Sequence, residues 1–383
     1  MRYVYYEMKN ITLDFGISTP PSLKYMQEIV GWCGKAVDSL ADRLQFREFT
    51  EDTFDLNTIY ALNNPDILYG SAIQSALICS CSFIYISEGE DGFPRLQVID
   101  GTDATGEIEP ETGLLTEGYA VLKRDDLGIP VLEAYFTPEY TAYYQGGQLI
   151  ETRYNPAPYP LLVPVIFRPD AKRPFGHSRI SRACISHVNS AIRTIKRSEI
   201  SAEFYSYPQR YATGVDESVD EMDKWKASMS SMLTFTVNED GEDHVKLGQF
   251  SQQNVEPHIS QLRMFASLFA GETGLTLDDL GFPTDNPSSE GAIIAAHENL
   301  RLTARKAKDT FFTGFLNAGY LAACLRDDYA YQRRQMRFTK GRWYPVFEPD
   351  VSMFGAVGDA LGKIGMTYPD LVTAERVEDL LGW

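Results

Sequence analysis

Five histidines, His177, His187, His244, His258 and His297, are the residues of this chain best suited to acid–base or metal chemistry. No two stand four apart, the spacing that puts two imidazoles on one helical face, and His297-Glu298 lacks the second histidine of a zincin. No phosphate-cradling Gly-x-x-x-x-Gly-Lys-Ser/Thr loop, no Gly-x-Gly-x-x-Gly fingerprint and no Gly-x-Ser-x-Gly elbow occurs. Gly355, Gly358, Gly362 and Gly365 recur at three and four, which on a helix makes a smooth packing face rather than a nucleotide site. The 53 carboxylates leave an acidic metal site open, but no spacing marks one. Cys33, Cys79, Cys81, Cys184 and Cys324 show one close pair, Cys79-x-Cys81, expected on the same side of one strand. They read as buried free thiols of a reducing compartment. The chain is therefore expected to be no enzyme and to carry no cofactor.

Three charged patterns remain. Arg193, Lys196 and Arg197 fall on one helical face, either solvated or aimed at phosphates or a neighbouring subunit. Asp278, Asp279 and Asp285 lie in the loop Leu277–Ser288 with Phe282, Asn286 and Ser288, either a surface connector or a gating element. Residues 216–243 hold nine acids, among them Glu217, Asp220, Glu221 and Asp223, against Lys224 and Lys226. The net charge of −18 argues against a freestanding nucleic-acid binder, which needs a basic face. Residues 172–200 run against that balance, with seven Lys and Arg against Glu199 alone. The opening residues show no signal-peptide pattern, and the longest apolar run, 71–86, is too short and too interrupted to span a bilayer.

The elements that must position these groups follow from periodicity. Leu23, Met26, Val30, Cys33, Val37, Leu40 and Leu44 predict a helix from about 22 to 46. A second helical segment covers 56–79, split at Asn63-Asn64-Pro65. The period then switches to two, predicting strands 82–88, 94–100, 118–124, 130–137, 139–145, 148–154 and 163–168, with turns at Thr112-Gly113, Asp126-Leu127-Gly128 and Gly146-Gly147. Helices follow at 178–205 and 256–271. Between them lies a small mixed unit with strands near 210–215, 232–237 and 244–250 and a helix at 217–230. Ile293, Ala296, Leu300, Ala304, Ala307, Phe311, Gly314, Ala318, Leu321 and Leu325 predict one helix from about 289 to 325, roughly 54 Å long. Such a rod is expected to carry a subunit between layers of an assembly. A strand at 334–339 and two short helices close the chain.

This order of elements resembles the portal proteins of long-tailed, double-stranded DNA bacteriophages. The likeness is carried by Ile29-Val30-Gly31-Trp32-Cys33-Gly34-Lys35-Ala36-Val37, by the turns Glu90–Arg95 and Glu109–Gly113, and by Tyr159-Pro160-Leu161-Leu162-Val163-Pro164-Val165. Gly281-Phe282 with Ser288-Ser289-Glu290-Gly291-Ala292-Ile293, and Trp343-Tyr344-Pro345-Val346-Phe347, complete it. The resemblance implies an α+β, portal-type subunit. Its β-rich wing is 1–170, with 326–350 returning to it, and its long-helix stem is 171–205 and 256–276. A small α/β clip is 206–255, a tunnel loop 277–288, a kinked long helix 289–325, and a short helical crown 351–383.

The resemblance further implies a twelve-subunit ring at the capsid vertex, through which double-stranded DNA is packaged and ejected. The large subunit of the terminase and a head-tail adaptor dock in turn on the clip, and the major capsid and scaffolding proteins surround the ring. The protein would reside in the virion, and in the host bacterial cytoplasm during assembly, with no membrane partner. The residues alone leave two other readings open: a ring-forming structural or secretion adaptor without DNA, and an enzyme with an unmarked carboxylate site.

Overall fold

The computed structural model describes residues 1–12, 25–89, 92–206, 210–215, 232–236, 246–249, 254–283, 295–347 and 351–367, with Val372 and Val377. Helices α1 (Arg2–Tyr6) and α2 (Trp32–Ala41) precede strand β1 (Phe46–Thr50) and helices α3 (Leu56–Ala61) and α4 (Pro65–Cys79). Eight strands follow: β2 (Cys81–Glu88), β3 (Pro94–Ile99), β4 (Ala104–Ile108), β5 (Leu115–Arg124), β6 (Pro130–Phe136), β7 (Tyr140–Gln145), β8 (Gln148–Tyr154) and β9 (Leu162–Ile166). Then come α5 (Arg182–Ser206), β10 (Arg210–Val215), β11 (Met232–Thr236), β12 (Lys246–Gln249) and α6 (Glu256–Thr273). Helix α7 (Glu298–Arg326), strand β13 (Lys340–Trp343) and α8 (Val351–Thr367) complete the order.

The alternating region forms two antiparallel sheets, ordered β3-β2-β9 and β4-β5-β6-β7-β8. Positive φ at Gly113, Gly128, Gly146 and Gly147 supplies the turns that the sequence marked. The first six residues of β2 are all buried, because α4 and α7 both pack against that strand. In the larger sheet, Ala120, Ala134 and Phe136 face inward and are fully buried. β1 pairs with β13, nearly 300 residues away, Phe49 opposite Gly341 and Thr50 opposite Lys340. Residues near the end of the chain thus return to the first core. A third sheet, β11-β10-β12, lies between α5 and α6 in sequence.

Several expectations are corrected. Among the described residues, the first core helix begins at Trp32 rather than near residue 22, with Gly31 as its N-cap and Val30 buried just before it. Glycines at 31 and 34 weaken any helix carried through that stretch. Cys79 and Cys81 do not share a strand. Cys79 ends α4, Ser80 turns the chain at φ 95°, and Cys81 opens β2. β4 pairs along β5 although its short sequence gives little apolar alternation. The strand expected at 334–339 is a 3-10 turn, Arg333–Met336, and the strand begins at Lys340.

For the long rod, residues 289–294 lie outside the described residues and 295–296 are helical; what is corrected is its reading as an assembly element. α7 runs for 29 residues from a turn at His297, and residues 314–324 are buried on every side. Its small residues are used inside the subunit. A Cβ at Gly314 would meet the Val165 Cα at 3.2 Å and the Pro164 carbonyl at 3.3 Å, and one at Gly319 would meet Leu56 at 3.2 Å. α7 is thus a core helix over most of its length, and its stripe is no argument for contacts between subunits. In α8 no atom of the described residues outside the local helix backbone and chain neighbours lies within 4 Å of a Cβ placed at Gly355, Gly358 or Gly362.

Candidate functional site

α5 and α6 form the most distinctive arrangement. They are antiparallel: Ser181 at the foot of α5 donates to Glu272 at 2.8 Å, and Thr194 faces Gln261 at 3.4 Å further along. Their 25 and 18 residues make an antiparallel helix pair about 27 to 38 Å long. Ser181 also accepts from the Cys184 amide at 3.2 Å, satisfying one of the orphan N–H groups that open a helix. Gly274, at φ 70°, closes α6 in the left-handed conformation that favours glycine.

The foot of the helix pair is built on a buried arginine. Arg179 donates from Nε to the Ala36 carbonyl in α2, and from Nη2 to the Thr273 carbonyl at 2.9 Å. Its own amide donates to the Leu77 carbonyl at 2.8 Å, at the end of α4. One side chain therefore ties α2 to the last turn of α6, at the segment that starts α5. Thr273 belongs to the last turn of its helix, whose carbonyls lack helical partners, so a cation suits it electrostatically. Burial pushes the guanidinium down to about 10, still charged at neutral pH. Trp32 packs on Phe269 with ring centroids 5.6 Å apart. Asn189 of α5 receives hydrogen bonds from Tyr5 and Thr12 at 3.2 and 3.0 Å.

The three basic residues of α5 do not form one solvated strip. Lys196 is buried, Arg193 is half-buried and donates to Ser190 at 3.1 Å, and Arg197 is exposed. α6 leaves Ile259, Met264 and Leu268 about half exposed.

The loop after α6 begins as a folded turn. Leu280 is buried and Phe282 packs against the core. The Asp279 carboxylate accepts from the Thr276 amide at 2.9 Å and hydroxyl at 2.8 Å, so it locks the turn, and His297 stands 3.8 Å away. Asp278 is exposed and Gly281 turns at φ 89°. Asp285, Asn286 and Ser288 lie outside the described residues, as do Glu217, Asp220, Glu221 and Asp223.

Among the described residues no group of three or more His, Cys, Asp or Glu could hold a metal ion. Burial raises the thiols of Cys33 and Cys79 to about 12 and those of Cys81 and Cys324 to about 11, far from nucleophilic at neutral pH. His177 and Asp170 form an exposed pair at 2.6 Å, and the carboxylate also accepts from the Lys172 and Arg173 amides, so it serves the turn 170–173. No described helix is long and apolar enough to cross a membrane.

Two features escaped the reading of the sequence. One is the burial of Arg179, which shares its charge with six neighbouring cations and differs in what packs around it. The other is the run from Tyr329 to Phe347, which holds five Lys and Arg and no acid; a charge count over that window would have found it.

No family model matches the chain. It is similar to the portal protein of Mycobacterium phage D29, 25% identical over 99% of this chain and 81% of that protein. It is equally similar to the portal protein of Mycobacterium phage L5, 25% identical over 77% of this chain, and the match spans 65% of that relative's own length. Among solved structures it aligns with a chain of the virion of a native gene transfer agent particle, over 92% of this chain and 89% of that one, at 13% identity and a TM-score of 0.49. It also aligns with the neck of that particle computed with C12 symmetry, at a TM-score of 0.45.

Proposed function

We propose that this chain is the subunit of a phage portal, a closed twelve-membered ring at one capsid vertex through which double-stranded DNA enters and leaves. The observation that carries this is the likeness to the D29 portal protein, which runs along 99% of the chain rather than through one motif. On this reading the sheet-rich core built from residues 1–170 and 326–350 is the wing. α5 and α6 are the stem, and β10–β12 belong to the clip, where the terminase and then the head-tail adaptor dock. The segment 277–288 is the tunnel loop and 351–383 a short crown.

The physics suits a conduit. A channel that neutralised many phosphates would hold DNA instead of passing it, because affinity climbs steeply with each cationic contact. A chain of net charge −18 repels the duplex, and a few cations such as Arg197 steer it. The folded half of the loop fixes its root through Asp279 and Thr276, leaving Asp278 and Asp285 as the acids able to face a lumen.

Negative-stain microscopy of the purified full chain tests the ring: class averages with an open centre support it, and monomers alone at high concentration in several salts would refute it. Rings that form normally but neither retain DNA nor capture a terminase would favour an adaptor without DNA. In rings that assemble, Asp278→Asn with Asp285→Asn should increase DNA retention and slow translocation. Wild-type retention and rate in that variant would remove the loop from the lumen.

A further inference from the structure

The outer face of the five-stranded sheet is acidic in a way the subunit alone does not balance. Glu107 on β4 stands directly opposite Glu117 on β5, a like-charge cross-strand pair that destabilises an isolated sheet. Tyr119 and Tyr135 are also register partners, and Glu133 lies opposite Val121 and Tyr144. The Tyr135 hydroxyl donates to Glu117 at 2.5 Å, and the Tyr119 hydroxyl donates to Glu133. Among the described residues no Lys or Arg forms an ion pair with Glu107, Glu117 or Glu133. Arg124, which is close by, pairs with Asp103 at 2.6 Å and its charge also acts on Glu133, so that Glu107 and Glu117 are the acids with no cation beside them among the described residues. The result is a strip of carboxylates and tyrosine rings on the solvent side of the sheet, whose other side is buried along β5 and β6.

A surface of the opposite kind sits on another part of the same chain. Arg334, Arg337 and Lys340 are exposed, and none has a carboxylate partner among the described residues. Phe338 between them is 63% exposed, with the Arg337 guanidinium 4.5 Å from its ring centroid. The segment is rigidly seated. Met336 and Thr339 are buried, Gln332 and Gln335 cap the 3-10 turn, and β13 pairs with β1. A backbone seated in this way loses little freedom on binding, which leaves only the exposed side chains to be ordered. Guanidinium groups fit both carboxylates, by paired hydrogen bonds, and tyrosine faces, by stacking.

We propose that the Arg334–Lys340 segment of one subunit docks on the Glu107/Glu117/Glu133 and tyrosine face of a second copy of this chain. The two surfaces belong to different elements, so the contact is heterologous, the kind that closes rings. The inference rests on the ring reading above and names where neighbouring subunits meet. The evidence for the second copy as occupant is complementarity of charge and of aromatic chemistry, in a chain whose net charge is −18.

The test uses the full chain, with light scattering and negative-stain microscopy as readouts and circular dichroism as the check on folding. Arg334→Glu with Arg337→Glu, and separately Glu107→Arg with Glu117→Arg, should each lower the ring fraction at least tenfold. The chain carrying all four changes should recover it, since opposite charges again meet between copies. A second measurement avoids charge reversal: Phe338→Cys with Tyr135→Cys should give disulfide-linked oligomers under mild oxidation, and each single variant should not. Rings from either reversed pair at the wild-type level, failure of the fourfold variant to recover, or no cross-link in intact rings would each overturn the inference while leaving the ring intact as a reading. Normal rings from Arg334→Glu/Arg337→Glu that lose duplex DNA would also overturn it, making the segment a nucleic-acid contact. A wild-type chain that stays monomeric in every salt would instead overturn the ring reading itself.

Discussion

Replacing Arg179 separates two roles that a buried cation can have, and the conservative change should be the worse one. In the native joint the guanidinium bears a desolvation cost: a fall from 12.5 to about 10 corresponds to about 3 kcal/mol against the charged form. Its two charge-assisted bonds, to Ala36 and Thr273, return roughly 1.5–3 kcal/mol each. Arg179→Met removes the cost together with the bonds and keeps most of the volume. It leaves the Thr273 carbonyl unpartnered, while Ala36, in mid-helix, keeps its place in the α2 ladder. The net loss should be about 1–2 kcal/mol. Arg179→Lys keeps a buried charge, more strongly hydrated than a guanidinium, on a group that cannot span both carbonyls. It should lose about 3 kcal/mol. Urea unfolding of the full chain with Trp225, Trp343 and Trp383 replaced by Phe, followed through the fluorescence of Trp32 packed on Phe269, reads the first transition of this joint. Hydrogen exchange in the last turn of α6 reads it locally. A lysine variant closer to wild type than the methionine variant would refute the bridging argument and leave simple charge as the requirement.

Three further outcomes are expected. Gly176 adopts φ 74°, and a Cβ there would sit 2.1 Å from the Phe167 carbonyl, so Gly176→Ala should cost about 3 kcal/mol or more, read as a lowered Tm or loss of soluble protein. Burial opposes ionisation of Asp100, but hydrogen bonds from Ser75, Thr102 and Tyr3 outweigh it and hold the carboxyl below its ordinary value. Its contribution is therefore fully present above about pH 4 and lost as pH falls through the lowered value, so Asp100→Asn should cost about 1–2 kcal/mol at pH 7 and flatten the acid limb of the stability curve. The buried thiols, with Cys33 raised to about 12 and Cys324 to about 11, should resist a disulfide exchange reagent at pH 8 in the folded chain and react on unfolding; rapid native labelling would show that these elements open.

The sequence by itself determined what depends on neighbours a few residues away. Period-two alternation with glycine turns located the antiparallel strands, since a pleat sends successive side chains to opposite faces and the turns need positive φ. The 3.6-residue period located α5 and α6, Asn64-Pro65 marked the break between α3 and α4, and the charge count marked the acidic blocks. What covers each face was decided only by the folded chain. The small-residue stripe of α7 looks the same in sequence whether it meets another subunit or β9, and Gly314 against Val165 shows that it meets β9. β1 went unpredicted, the expected helix stopping at its first residue, because its partner, β13, lies at the other end of the chain. Arg179 and Lys196 carry the same charge as their exposed neighbours, but surrounding packing removes them from water, and burial is a property of everything that closes over a residue rather than of the residue itself. Asp279 is likewise an acid in an acidic loop until Thr276 folds beneath it, and from then on its carboxylate belongs to the turn.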